Sequence, residues 1–273
     1  MELTTLIDNK QAIKQLKCEH GLSFLLQTAQ CTVLFDTGQS DKLLHNAKLL
    51  NVDLMEVDYV ILSHGHYDHT GGLPHFLELN TKAKVIVHPH AFKQRFSQSP
   101  QMVKENGVAW RNQLKEYAHR MLFIQEDIEL AKDLWVLTDI KPQVGFEVMN
   151  NKLVTPTSDG YTPDTFDDEL ILLAKENDQQ IVICGCAHTG IVNILHQIKQ
   201  RFHSSEFNLI AGGLHLKGKE EAEIDKVIDG LTPFKTKRWA LNHCTGEPAF
   251  EQFEAKYPGQ VIYCGGGTRL NIE

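Results

Sequence analysis

The sequence predicts an α/β protein built as a four-layer αββα sandwich, in which two β-rich sheets pack together and helices cover their outer faces. Three observations predict it. The first third of the chain is rich in β-forming runs, strand and helix patterns alternate after residue 170, and no linker rich in proline, serine or glycine separates the halves. Because each layer must bury its apolar face against another, we expect a single domain spanning residues 1–273.

The first half alternates apolar runs with short polar connections. Strands are predicted at residues 21–28, 31–37, 57–63 and 83–88. The first two of these runs predict a hairpin, and leucines at helical spacing predict a helix over residues 41–50. Residues 89–120 are polar and lack a strand pattern. We expect this segment to be a helical insertion that covers or flanks the strand ends.

The second half alternates strands and helices more regularly. Strands are predicted at residues 170–174, 180–184, 207–211, 238–241 and 261–263. Helices are predicted over residues 191–202, 219–231 and 247–257. The first two strands flank the polar sequence KENDQ, so they are expected to pair as a hairpin.

The composition is ordinary for a globular protein and acidic on balance. Apolar residues make up 42% of the chain and the formal net charge is −8, which argues against nucleic acid as a partner. No apolar run approaches the roughly 20 residues of a membrane span. The N-terminal MELTTLIDNK lacks the basic and apolar regions of a signal peptide. We therefore expect a cytoplasmic protein with no membrane partner, and its oligomeric state is left open.

The six cysteines are scattered through apolar or strand-like surroundings: Cys18, Cys31, Cys184, Cys186, Cys244 and Cys264. In a cytoplasmic protein this pattern is typical of reduced thiols. Cys184-Gly-Cys186 is a close pair, and C-x-C alone is a weak signature of a redox or zinc site. We therefore predict mostly buried thiols.

A cluster of ligand-type side chains follows the strand predicted at 57–63. In SHGHYDHTGG, His64, His66, Asp68 and His69 fall within six residues. Imidazole nitrogens and a carboxylate suit zinc and similar divalent ions, and the neighbouring glycines permit a tight loop. His64 and His66 can face one ion, while Asp68 and His69 can reach a second ion or an attacking water. A histidine-rich surface turn is the alternative.

This segment resembles the metal-binding motif of the metallo-β-lactamase superfamily. The resemblance continues, in order, through GLSFLL, VLFDTGQS, ICGCAHTGIVNIL, AGGLHL and ALNHCTG. The chain is similar to the branch named for 7,8-dihydropterin-6-yl-methyl-4-(β-D-ribofuranosyl)aminobenzene-5'-phosphate synthase. The resemblance implies the four-layer metallo-β-lactamase sandwich and a metal centre at the strand ends.

The resemblance also implies roles for residues outside that motif. His188 and His243 follow later strands and are expected to be metal ligands. His215 in AGGLHL is expected to contact substrate or donate a proton, with metal ligation as the alternative. Asp36 in FDTG is expected to orient a ligand without binding metal itself. A purely structural role is the alternative for each of them.

One departure from the superfamily pattern concerns the group that bridges two ions. Members usually carry a histidine before the second-half hairpin and a bridging aspartate at its end. Here no histidine lies between His119 and His188, so His188 is expected near the bridging position. Asp164, Asp167 and Asp168 are candidate replacement carboxylates, with solvated loop acids as the alternative.

The function first predicted is a metal-dependent hydrolase that acts on a phosphate-containing small molecule through a metal-bound hydroxide. Asp68 would orient the nucleophile and pass a proton to the leaving group. Zinc is the first expectation, as one or two ions, with manganese or iron as alternatives. The branch resemblance instead implies a transferase or lyase of the dihydropterin synthase type, in pterin cofactor synthesis, and a non-catalytic metal-binding module is the third hypothesis. Oxygen-reducing di-iron relatives are disfavoured because they carry glutamate where this chain has His66.

Overall fold

A computed structural model describes residues 1–176 and 179–272, and within them the strands form two seven-stranded sheets and one four-stranded sheet. The strands are β1 (Glu2–Ile7), β2 (Ser23–Gln27), β3 (Thr32–Phe35), β4 (Tyr59–Ile61), β5 (Lys84–Val87), β6 (Phe96–Gln98), β7 (Val103–Glu105), β8 (Met121–Phe123), β9 (Ile128–Ala131), β10 (Leu134–Leu137), β11 (Leu153–Thr157), β12 (Gly160–Pro163), β13 (Ile171–Glu176), β14 (Gln179–Cys184), β15 (Glu206–Gly212), β16 (Lys235–Leu241), β17 (Val261–Tyr263) and β18 (Arg269–Asn271). The α-helices are α1 (Lys42–Leu49), α2 (Tyr67–Thr70), α3 (Leu73–Leu79), α4 (Leu114–Tyr117), α5 (Ile191–Phe202), α6 (Glu221–Gly230) and α7 (Glu247–Lys256). Short 3₁₀ helices span Leu54–Glu56, Pro89–Phe92, Arg111–Gln113 and Ala118–Arg120.

The two large sheets each contain a run of parallel strands. The first has the order β18-β1-β2-β3-β4-β5-β8 and the second β17-β16-β15-β14-β13-β10-β9. Neighbours from β3 to β8 in the first sheet, and from β14 to β17 in the second, are parallel. The carboxyl ends of parallel strands meet at one edge of a sheet, which is where open α/β sheets bind ligands. The loops that follow β3, β4, β14, β15 and β16 therefore gather at these edges.

The predicted αββα sandwich is confirmed by the way side chains alternate along the strands. In β3, Val33 and Phe35 join an apolar cluster shared by both large sheets, whereas Leu34 faces the cluster that contains residues of α1 and α3. A third cluster lies between the outer face of the second sheet and helices α5 to α7. The strand period of two thus directs alternate side chains into adjacent layers. No helix in the described parts of the chain is long and apolar enough to cross a membrane.

Most predicted elements of the second half match the structure closely. Helix α5 has the predicted bounds, and β13 pairs with β14 as an antiparallel hairpin. Residues 177–178 of its predicted turn lie outside the described residues. The prediction missed β1, which pairs with β18 near the other end of the chain. Buried Thr4 and Thr5 interrupt its apolar pattern, which explains the omission.

The segment 89–120, predicted to be a helical insertion, is only partly helical. It holds short 3₁₀ turns and the four-residue α4, but also β6 and β7, which pair with each other. Strand β6 also pairs with β11, so the segment forms part of the small sheet. The side chains of β7 are exposed, and a strand without a buried face leaves no apolar alternation in the sequence.

A buried arginine, Arg95, ties this inserted segment to the rest of the protein. Its Nε donates to Asp164 Oδ2 and its Nη2 to Asp168 Oδ1, each at 2.6 Å. Asp168 Oδ2 in turn accepts a hydrogen bond from the backbone N–H of Gly65 at 2.8 Å. All three charged side chains are buried. This network connects the insertion to the loop that carries the predicted metal ligands.

We expect Arg95→Ala to lower the free energy of unfolding by about 3–5 kcal/mol, because it leaves two buried carboxylates without their cation. Urea denaturation of the purified variant measures this loss. The matched control is Arg111→Ala, which removes a partly exposed pair with Glu105 and should cost no more than about 1 kcal/mol. Equal losses in the two variants would show that the buried network does not hold the insertion.

Candidate metal centre

The loop after β4 carries two histidines that face each other. His64 lies three residues after the end of β4, and His66 is the last extended residue before α2. Gly65 lies between them, and a Cβ there would come within 1.9 Å of the carbonyl oxygen of Ala91. Only glycine fits this close approach. The backbone can therefore turn tightly and leave both imidazoles on the same side.

His188 joins these two residues to form a first group of ligand atoms. His64 Nε2 lies 3.0 Å from His66 Nδ1 and 3.3 Å from His188 Nε2. The outer nitrogen of His64, Nδ1, contacts Ser63 Oγ at 2.9 Å. The ring of Phe166 stacks on His188 at a centroid distance of 3.8 Å and fixes its plane. Three imidazole nitrogens thus converge on one point.

A second group lies beside the first and combines imidazole with carboxylate. His69 Nε2 is 3.2 Å from His243 Nε2. Asp68 Oδ2 lies 3.5 Å from His243 Nε2 and 3.8 Å from His69 Nε2. Asp68 Oδ2 also contacts His20 Nε2 at 3.2 Å. The six predicted ligands therefore lie next to each other, where the strand ends of the two large sheets adjoin.

Contacts behind the second group fix which nitrogen of each imidazole faces inward. Asp36 Oδ2 accepts a hydrogen bond from His69 Nδ1 at 2.7 Å, and Asn9 Oδ1 lies 3.0 Å from His243 Nδ1. Asp36 also binds the backbone N–H of Ser63 at 2.7 Å. Since the Nδ1 proton is held outside, the Nε2 lone pair points into the site. Asp36 thus lies where an orienting residue is expected.

These inner nitrogens fit a divalent cation. Nε2 lone pairs that face one another at about 3 Å repel, unless a cation lies between them. Burial lowers the pKa of four of the imidazoles, which keeps them neutral and able to ligate: His64, His66, His188 and His243. Burial also acts on His69, but the nearby carboxylates raise its pKa to about 9. A metal ion would replace the proton that His69 Nε2 otherwise carries.

The residue between the two groups is a cysteine, and His188 does not occupy the bridging position predicted for it. Cys186 Sγ lies 3.2 Å from His69 Nε2 and within 4.8 Å of ligand atoms from both groups. Ala187 has a left-handed backbone conformation, with φ of 50°. This turn sends His188 to the side of His64, so the sulfur two positions earlier takes the central place.

The acidic residues considered as replacement ligands do not reach the site. Asp164 and Asp168 bind Arg95, while Asp167 binds His90 and Lys93 on the surface. Asp164 and Asp168 are buried rather than solvated, which corrects the loop-acid expectation for both. The segment that carries these residues therefore supplies no bridging carboxylate.

His215 lies at the rim of the first group. Its ring centroid is 4.3 Å from that of His188, and its ligand atom lies within 4.8 Å of Cys186 Sγ. Among the residues that the structure describes, His215 Nδ1 has no hydrogen-bond partner. This geometry suits either a substrate contact or a further metal ligand.

Sequence reasoning missed four residues that contact the centre. His20 reaches Asp68, Asn9 reaches His243, and Asn106 Nδ2 lies 3.4 Å from His66 Nε2. These residues lie in loops far away in the chain, with no local pattern to mark them. Cys186 is different, because Gly-Cys ends the hairpin where the superfamily carries Gly-Asp. The cysteine in place of that aspartate could have identified Cys186, but the C-x-C pattern is weak and did not indicate a metal ligand.

Two adjoining cavities open onto the metal centre. The first, of about 280 Å³, is lined by predicted ligands and by Lys104, Asn106 and Lys217. The second, of about 490 Å³, shares Lys217 and His243 with the first and adds Phe250 and Tyr263. The centre is therefore accessible to small molecules from two directions.

Comparison with known proteins supports the fold and indicates an enzyme. The sequence profile of the metallo-beta-lactamase superfamily matches residues 16–192. The crystal structure of Tm1679, described as a metal-dependent hydrolase of the beta-lactamase superfamily, superposes with a TM-score of 0.85 and 30% identity, covering 100% of this chain and 99% of that one. The chain is thus similar to Tm1679 over its whole length.

Two proteins of Methanocaldococcus jannaschii are also similar over most of the chain. One is 7,8-dihydropterin-6-methyl-4-(beta-D-ribofuranosyl)-aminobenzene-5'-phosphate synthase, 28% identical over 271 residues, which covers 89% of this chain and 90% of the synthase. The other is an uncharacterized protein, 31% identical over 249 residues, which covers 88% of this chain and 89% of that protein. The similarity to the synthase therefore extends across both halves of the sandwich.

We expect the purified protein to contain one to two equivalents of zinc, manganese or iron. The double variant His64→Ala/His66→Ala should lose most of this metal, because it removes two of the three imidazoles of the first group. Inductively coupled plasma mass spectrometry gives the content. The double variant His45→Ala/His75→Ala, which removes two exposed histidines, is the matched control. Unchanged metal in the first variant would refute the assignment of this group.

Proposed function

This chain belongs to the metallo-beta-lactamase superfamily, and we propose that it is a metal-dependent synthase that joins a dihydropterin to an aminobenzene ribofuranosyl phosphate. The observation that carries the proposal is the similarity to the M. jannaschii synthase over 89% of this chain. The two cavities at the metal centre support it, because the reaction needs space for two substrates.

The prediction of a hydrolase is wrong. The similarity to the synthase covers 89% of this chain and the name of the synthase specifies a product, whereas the description of Tm1679 names a metal-dependent hydrolase of the superfamily and no substrate. A metal site suited to activating water also suits other displacements at phosphate-bearing groups, so the ligand set alone does not specify hydrolysis. The two reactions differ in their nucleophile, which is water in hydrolysis and an amine in the synthase reaction, and not in the metal.

Two lysines at the first cavity support a substrate that carries phosphate. Lys104 lies on β7, with its Nζ 6.0 Å from the centre of the Tyr67 ring. Lys217 is held by a backbone hydrogen bond to the carbonyl of Cys244 at 3.1 Å. Neither ammonium group forms an ion pair with any residue in the described ranges. Two unpaired cations beside a cavity attract phosphate, although the chain as a whole is acidic.

Aromatic side chains at the second cavity support a flat ring as its ligand. Phe250 and Tyr263 line this cavity, and their ring centroids are 5.8 Å apart. Lys10 Nζ lies 5.2 Å from the centre of the Tyr263 ring. Aromatic walls provide stacking surfaces for rings, and both proposed substrates contain one. Because the two cavities share Lys217 and His243, the substrates would meet at the metal centre.

The proposed reaction displaces a diphosphate by an amine. A bond forms between the aromatic amine nitrogen and the 6-methylene carbon of the dihydropterin, and the bond from that carbon to the diphosphate oxygen breaks. The diphosphate leaves with the electron pair, and the amine loses one proton. In this proposal Asp68 Oδ2 accepts that proton, and His20, half-exposed and 3.2 Å away, passes it to solvent. A bound divalent ion supplies positive charge that stabilises the departing diphosphate.

The proposal is tested by supplying metal-loaded protein with 6-hydroxymethyl-7,8-dihydropterin diphosphate and 4-(β-D-ribofuranosyl)aminobenzene 5'-phosphate. We expect the joined product and free diphosphate in equal amounts, measured by liquid chromatography with mass spectrometry. The His64→Ala/His66→Ala variant should form neither. Release of diphosphate without the joined product, or no turnover of either substrate, would overturn the proposal.

We expect Asp68→Asn to lower kcat for product formation by about 10²-fold or more, since a positioned acid–base group contributes roughly 10²–10⁴-fold. Metal content is measured on the same samples at saturating zinc, so that loss of metal is distinguished from loss of proton transfer. Asp225→Asn, at an exposed position of α6, is the control. A rate near that of the unmodified protein would limit Asp68 to a structural role.

A further inference from the structure

A thiol lies at the centre of the proposed metal site, and it is not among the predicted metal ligands. Cys186 follows β14 by two residues and its side chain is buried. Its Sγ lies within 4.8 Å of ligand atoms in three separate sets. These sets are His64 with His69, His188 with His215, and His243 with Cys244. Cys186 therefore reaches residues of both groups.

The nearby carboxylates contact other parts of the site, and Asp68 Oδ2 lies farther from His69 Nε2, at 3.8 Å, than Cys186 Sγ does, at 3.2 Å. Asp36 is turned toward the outer nitrogen of His69, and Asp68 lies on the side of His20 and His243. Asp164 and Asp168 bind Arg95. In the parts of the chain that the structure describes, the candidate ligand sets that contain His66 or His188 are completed by imidazole or thiol groups. The thiol is thus the ionisable acid that reaches both groups.

We propose that the thiolate of Cys186 is a ligand of the metal centre, in the position between the two ions where the superfamily usually carries an aspartate. The inference rests on the metal centre assumed in the proposed function. On metal binding the thiol loses its proton to solvent and the sulfur bonds to the metal. Thiolate is a soft ligand that suits zinc better than magnesium or manganese. This chain should therefore select zinc more strongly than an all-oxygen bridge would.

A second thiol, Cys244, lies close by but is placed differently. Its Sγ accepts a hydrogen bond from the backbone N–H of His215 at 3.2 Å and lies 3.8 Å from the carbonyl oxygen of Cys186. It is not grouped with His64 or His69. Cys184 points away from the site and contacts the carbonyl oxygens of Ala211 and Gly213. Buried Cys184 is therefore the matched control for Cys186, whereas Cys244 is the competing candidate, because it is grouped with Cys186 and His243.

The first test uses protein in which Co²⁺ replaces the native ion, because a thiolate bound to Co²⁺ gives a charge-transfer absorption band in the near ultraviolet. We expect this band in the unmodified protein, in Cys244→Ser and in Cys184→Ser. It should be absent in Cys186→Ser, which should also lose about one equivalent of metal. A band that persists in Cys186→Ser, or that disappears in Cys244→Ser instead, would overturn the assignment.

Two further measurements keep the test decisive if Cys186→Ser does not fold. X-ray absorption of the zinc-loaded unmodified protein should show a sulfur neighbour at about 2.3 Å; a shell of nitrogen and oxygen alone would refute the proposal. Cys186→Asp should bind both ions without the cobalt band, and a band in that variant would exclude Cys186 as its source. None of these readouts uses a substrate, so a failed synthase assay would leave them unaffected.

Discussion

One buried carboxylate, that of Asp36, fixes how the segments at the strand ends of the first sheet are arranged. Asp36 accepts hydrogen bonds from His69 Nδ1 and from both the backbone and the hydroxyl of Ser63, each at 2.7 Å. Burying a charged carboxylate is costly unless several donors satisfy it. These donors come from the end of β4 and from α2, so satisfying Asp36 fixes their separation. Gly185 of the second sheet approaches the same carboxylate, because a Cβ there would lie 3.1 Å from Asp36 Oδ2. The geometry of the metal centre follows from this contact.

The edge that carries the centre also concentrates unfavourable backbone conformations. Asp36, Ala187, His215 and His243 all have φ between 50° and 61°, a region that costs a non-glycine residue of order 1–3 kcal/mol. Surrounding hydrogen bonds hold them there; the backbone N–H of His243 donates to Asp8 at 2.9 Å. The residues that direct ligands inward are thus supported by the rigid sheets behind them. Local strain at the strand ends is offset by the apolar layers.

The sequence was sufficient to predict the sandwich and the side chains that meet at the candidate metal centre, because both depend on local patterns. Strand alternation and helix periodicity predicted the layers, and the spacing of His64, His66, Asp68 and His69 predicted the centre. Arg95 was not predicted, because its partners lie about 70 positions away and only folding brings them together. The strands of the insertion lack a buried face, so no periodicity reveals them. The reaction was mispredicted because a set of ligands limits which metal can bind more than it limits which nucleophile reacts.

The pairing of distant parts of the chain also fixes the order in which the protein can mature. Asp8 and Asn9, from the loop after β1, hold His243, and β1 pairs with β18. On the ribosome, the nascent chain therefore presents its early histidines long before their partners emerge. Contacts of such large sequence separation form late and slowly. A centre that needs residues from both ends of the chain is therefore complete only after the whole chain has been synthesised.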